Sequence, residues 1–115
     1  MFKPIFDQIQ KKNPEIYFIG IWGKDGLELE KTFYNPADVE LELLGAVLAD
    51  VVTKIDRIAL SPSQYFIEYE FDKLKVAVLP LTKAHFFLVI ASPQMPAGKL
   101  KFFYTLYKDQ IISQL

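Results

Sequence analysis

A chain of 115 residues with 51% apolar and 15% aromatic side chains has room for one domain around one core, with more apolar surface than that core consumes. Thirteen basic residues against fourteen acidic ones leave a net charge of -1, which gives no field to draw in nucleic acid or an anionic membrane, so neither is an expected partner. There is no cysteine, which excludes disulfides, thiolate metal sites and a cysteine nucleophile, and no apolar run resembles a signal peptide or approaches the roughly twenty residues of a membrane span. The expected setting is the cytoplasm, without direct membrane insertion.

Phe2, Ile5, Phe6 and Ile9 recur at the i, i+3, i+4, i+7 spacing of one helical face, and Lys11-Lys12-Asn13-Pro14 ends the pattern. Ile16 to Trp22 is a β-branched and aromatic run with apolar residues at both parities, which predicts a strand covered on both faces. Gly23-Lys24-Asp25-Gly26 supplies a turn into a second strand, Leu27 to Tyr34, where Leu27, Leu29 and Lys31 alternate with Glu28, Glu30 and Thr32 as in a strand nearer an edge. Asn35-Pro36 marks a helix start, with asparagine capping, proline in the first position, and Asp38 and Glu40 against the positive end of the dipole. This helix is expected to run from Pro36 to about Ile55. From Leu43 to Ala49 it carries no polar side chain, although a helix lying on a sheet with its back to water shows a polar stripe, so it is expected to be buried on two sides.

Beyond a loop at Ser61-Pro62-Ser63, Tyr65 to Phe71 and Leu74 to Leu81 read as strands joined by a two-residue turn at Asp72-Lys73. Counting back from that turn pairs Phe71 with Leu74, Tyr69 with Val76 and Ile67 with Val78 on one face, and Glu70 with Lys75 on the other. His85 to Ala91 is apolar at both parities and is expected to be central, with Ser92-Pro93 ending it. From about Gly98 to Leu115, the spacing of Leu100, Phe103, Tyr107 and Ile111 predicts a closing helix with Lys99, Lys101, Lys108 and Asp109 outside. The order α-β-β-α-β-β-β-α implies an α/β (α+β) domain over residues 1–115, a three-layer α/β/α sandwich around a five-stranded antiparallel sheet.

Candidate chemistry is sparse. His85 is the only histidine, so a histidine triad, metal cluster or relay cannot be built, and it reads as a polar residue opening a strand. Glycines 20, 23, 26, 45 and 98 make neither phosphate-cradling spacing. Glu28, Glu30, Glu68 and Glu70 fall at the solvent positions of alternating strands, and Asp38, Glu40 and Glu42 open a helix. Asp50 is either solvated or paired across an interface, and Arg57, the sole arginine, reads as a cation at a helix C-terminus rather than an arginine finger. The stripe Phe102-Phe103-Tyr104 with Tyr107 reads as core. No catalytic residue, metal site or cofactor site is expected, and the chain is read as a binding module rather than an enzyme.

Element order, length and several strings together carry a resemblance. They are Pro14 before the first strand; Asp25-Gly26-Leu27; Leu44-Gly45-Ala46-Val47-Leu48-Ala49; Ile67-Glu68-Tyr69-Glu70 and Val76 to Leu81; and Phe86 to Ala91 followed by Gly98-Lys99-Leu100-Lys101. Over nearly its whole length the chain resembles the roadblock/LC7 domain, the family of MglB-like bacterial proteins and roadblock-type dynein light chains, related to the longin and profilin folds. It departs from the family in Tyr17 and Phe18, where a small residue is common, and in having Lys99 or Lys101 where arginine often follows the late glycine.

The resemblance implies a middle helix on one face of the sheet, terminal helices on the other, and a homodimer made by pairing middle helices and joining third strands. Val39, Leu43, Ala46, Val47 and Asp50, with Tyr65, Ile67 and Tyr69 of the edge strand, would then form the interface. It also implies a scaffold or regulator of a Ras-like small GTPase as the function. The alternative is a small-ligand sensor or structural interaction domain of profilin or PAS-like build, which needs an apolar pocket with convergent polar groups.

Overall fold

The computed structural model describes residues 2–35, 40–58, 67–96 and 98–115. Helix α1 (Lys3–Lys12) is followed by strands β1 (Ile16–Gly23) and β2 (Glu28–Phe33), helix α2 (Leu41–Ile58), strands β3 (Ile67–Glu70), β4 (Lys75–Pro80) and β5 (His85–Ala91), and helix α3 (Lys99–Ile112). This is the order the sequence predicts. The strands form one sheet in the order β2-β1-β5-β4-β3, and every neighbouring pair in it is antiparallel.

The strands that are apolar at both parities, β1 and β5, lie in the middle because each of their faces must be covered. On one side Ile19, Ile21, Ala77, Leu79, Phe87 and Val89 pack against Ile5, Phe6 and Ile9 of α1 and Leu100, Phe103, Tyr107 and Ile111 of α3. On the other side Phe18, Trp22, Val76, Val78, Phe86, Leu88 and Ile90 lie beneath Leu48, Ala49 and Val52 of α2. Two cores back to back across one sheet make the three layers.

The β3–β4 hairpin has the register counted from its turn: Tyr69 faces Val76, Ile67 faces Val78 and Glu70 faces Lys75, with the Phe71 amide bonded to the Leu74 carbonyl at 2.8 Å. In the β1–β2 turn Asp25 Oδ1 accepts the Leu27 amide at 3.0 Å, while Gly26 at φ 89 takes the left-handed conformation that glycine adopts without strain.

Several sequence expectations change, among them the reading of Phe102 as core, since it is 61% exposed on α3. The alternation expected in β2 breaks at a register shift that sets Glu30 opposite Ile21 and Glu28 opposite Trp22, leaving Leu29 as an extra residue; Leu27 and Leu29 are exposed. Glu30, expected in solvent, is half-buried and accepts the Phe2 amide at 2.7 Å, which ties the start of α1 to β2. The middle helix spans Leu41–Ile58 and not Pro36 to about Ile55: Glu40 stands before it and its carbonyl takes the Leu44 amide at 2.9 Å. Pro36, expected in the first helical position after the Asn35 cap, Asp38 of the expected first turn, the loop at Ser61-Pro62-Ser63, and Tyr65 at the start of the third strand lie outside the described residues.

A polar cluster joins α1 to the end of β2. The Tyr34 hydroxyl donates to Asp7 Oδ1 at 2.7 Å, and Lys3 Nζ lies 3.1 Å from the same oxygen. The tyrosine bond first and the lysine bond second hold the Asp7 carboxyl below its ordinary value of 3.8, while burial and the same bond raise the Tyr34 hydroxyl. The folded chain therefore binds this proton less readily than the unfolded one. Its contribution to stability is complete above the unfolded value and is lost as pH falls through the lower folded value. Asp7→Asn is expected to flatten the loss of stability below about pH 4, read by urea denaturation at a series of acidic pH values.

Candidate functional site: the outer face of the middle helix

Gly45, Leu48, Ala49 and Val52 recur at i, i+3, i+4 and i+7 along α2 and are its buried set. The helix comes down closely on β1. A Cβ at Gly45 would lie 2.1 Å from Trp22 Nε1, and one at Gly20 would lie 2.7 Å from Trp22 Cζ3 and 2.8 Å from Phe18 Cζ. The indole is thus seated against two glycines, one on the helix above and one on its own strand. An ion pair between Lys24 in the β1–β2 turn and Asp56 fixes the same helix from the side.

With that set turned to the sheet, Glu42, Leu43, Ala46, Val47, Asp50, Lys54 and Arg57 are exposed on the outside. Leu43 is 59% and Val47 51% exposed. Among the described residues the helix is therefore buried on one side only, and none of them supplies the second burial expected from the apolar run Leu43 to Ala49. Asp50 pairs with Lys54 at 3.0 Å, an exposed i,i+4 contact of small energetic weight.

Among the described residues strand β3 is an edge of the sheet and pairs only with β4. Ile67, half-buried, packs on the α2-side core, and its parity carries Tyr69 to the same side; Tyr69 and Phe71 are both exposed. The structure thus gathers Leu43, Ala46, Val47 and Asp50 on one helix surface, and sets Ile67 and Tyr69 on a free strand edge facing the same side of the sheet. Val39 and Tyr65 lie outside the described residues. Phe71, placed by the sequence on the same face as Ile67 and Tyr69, follows β3 and is exposed.

Elsewhere His85 and Glu68 have local partners. His85 is half-buried with Nδ1 3.1 Å from Thr82 Oγ1, whose hydroxyl also receives the Ala84 and His85 amides at 3.1 Å. Arg57 sits in the last turn of α2, as expected. Glu68, expected in solvent, is half-buried and paired with Lys75 at 2.9 Å. Among the described residues no three His, Asp or Glu side chains gather where they could hold a metal, and no helix is long and apolar enough to cross a membrane. A hollow of about 380 Å³ at the start of α2 is lined by Glu40, Leu41, Glu42 and Leu43 and opens to solvent.

A five-stranded antiparallel sheet with α2 on one face and α1 and α3 on the other gives the chain the fold of roadblock/LC7 domains. Among solved structures it is similar to the gliding protein MglB of Thermus thermophilus, with a TM-score of 0.81 and 10% identity over 96% of this chain and 85% of that one. It is similar also to a roadblock/LC7 domain from Streptomyces avermitilis, with a TM-score of 0.74 and 12% identity over 94% and 92% of the two chains. Profilin IA of Acanthamoeba castellanii matches with a TM-score of 0.65 and 14% identity over 99% and 98%. At such identities the likeness is one of fold. No protein-family model and no curated protein matches the sequence.

Proposed function

We propose that this chain is a non-catalytic scaffold or regulator that acts as a homodimer on a Ras-like small GTPase in the cytoplasm. One observation carries the reading: Leu43, Ala46 and Val47, from a helix segment without a polar side chain, are exposed on α2, on the side of the sheet that Ile67 and Tyr69 of the edge strand β3 also face. A two-fold dimer would cover both features at once, α2 against α2 and β3 against β3, continuing one sheet through two subunits. Removing Leu43 and Val47 from water supplies the driving force, and the β3 backbone groups supply direction.

The roadblock/LC7 resemblance supplies the partner class, and the MglB-like fold supports it. Such a dimer presents one composite surface of helices or sheet to one GTPase. It would work by ordering the switch segments of the GTPase itself, since the site offers no acid, base or cation in a catalytic arrangement. Calorimetric titration against the Ras-like GTPases of the same genome, each loaded with GDP or a non-hydrolysable GTP analogue, tests this. The expected result is one GTPase bound per two chains with a preference for one nucleotide state; no binding to any of them in either state contradicts it.

A further inference from the structure

On the other side of the sheet from α2, beneath the same edge strand, lies a buried charge that dimerisation does not use. Lys75 opens β4 and is 5% exposed. Its Nζ lies 2.9 Å from Glu68 Oε1 and donates to the Met95 carbonyl at 2.9 Å. The residue opposite Lys75 in the ladder is Glu70, which is exposed, so the lysine reaches past its direct partner to the diagonal one. Met95, itself buried between β5 and α3, draws the ammonium inward and with it the one β3 carboxylate that can follow.

Strand β3 needs such a constraint. Among the described residues it is four residues long and pairs with β4, with Ile67 its one side chain packed on the α2-side core. The two-residue turn at Asp72-Lys73 favours one register, and because the side-chain period is two the ion pair adds a penalty for leaving it. A one-residue slip would turn Glu68 into the apolar α2-side core, move Tyr69 off that side, and leave Lys75 buried without a carboxylate.

We propose that Lys75 and Glu68 are positioning residues: the chain from Glu68 through Lys75 to the Met95 carbonyl locks the register in which β3 presents Ile67 and Tyr69 at its free edge. An apolar pair in their place would remove that penalty and leave β3 free to exchange between registers and to fray. The use of that edge for self-association rests on the proposed dimer; the lock itself does not.

The test is the double variant Glu68→Leu/Lys75→Met, which removes both charges without stranding one, compared with the parent chain by amide hydrogen exchange and by cross-strand NOEs. The expected result is that β5 amides keep their protection while β3 amides bonded to β4 lose roughly tenfold or more, with the Tyr69–Val76 NOEs weakened. In the dimer, the dissociation constant is expected to rise by a similar factor. Unchanged β3 protection and unchanged Tyr69–Val76 NOEs overturn the lock. Should the double variant lose protection in β5 as well, Glu68→Gln, which keeps the side-chain shape, decides by the same β3 criterion. A parent chain that is monomeric contradicts the dimer reading, whereas the exchange result still decides the lock.

Discussion

Replacing Leu43 or Val47 by aspartate is expected to convert the dimer to monomer while leaving the chain folded. Both side chains are more than half exposed in the isolated chain, so a carboxylate there stays solvated and the fold loses little. In the paired state the same carboxylate would be desolvated without a partner, at about 2 kcal/mol or more, and a two-fold axis places the change on both subunits. The dissociation constant should rise roughly a hundredfold or more, read by analytical ultracentrifugation. Asp50→Asn, on the same surface but engaged only in an exposed pair with Lys54, should shift it far less. Equal effects from all three substitutions would point to general destabilisation rather than to an apolar interface.

The second large effect is expected at Gly45. In an open helix interior Gly→Ala gains about 1 kcal/mol of helix propensity. Here the added Cβ would fall 2.1 Å from Trp22 Nε1, and the indole cannot retreat, because Gly20 on its own strand is just as tightly filled by the same ring and by Phe18. The helix must lift. Overpacking of this kind costs about 1–3 kcal/mol, so Gly45→Ala should lower the melting temperature by roughly 5–15 °C and Gly45→Val by more. Trp22 is the only tryptophan, so a red shift of its emission reports the helix rising from the sheet. A stabilised Gly45→Ala protein would mean that propensity wins and that α2 does not rest on the indole.

What could be read from the sequence follows from which residues are governed by local rules. The β3–β4 register was legible because Asp72-Lys73 is a two-residue turn, and a turn of that length leaves one consistent pairing for Tyr69 and Val76. The central position of β1 and β5 was legible because neither has a polar face to give to water. The bulge at Leu29 was not, since nothing in a run of alternating leucines and glutamates announces one extra residue at a sheet edge. Lys75 was read as a solvent partner of Glu70 because cross-strand counting identifies the opposite residue; that Met95 would fold over the lysine and turn it to Glu68 depends on the connection between β5 and α3.

The candidate site was half legible. The apolar run from Leu43 to Ala49 showed that α2 has more apolar surface than one sheet contact needs. It did not show which residues face which way, because Leu44, Val47 and Leu48 are equivalent in composition. The contact between Gly45 and Trp22 decides that question by fixing the helix rotation, and it leaves Leu43, Ala46 and Val47 outside.

Light scattering coupled to size exclusion, over a wide dilution range, tests the central claim most directly. A homodimeric face on α2 and β3 predicts twice the chain mass, persisting on dilution and falling to the chain mass in the Leu43→Asp variant. A single chain mass at every concentration would contradict it.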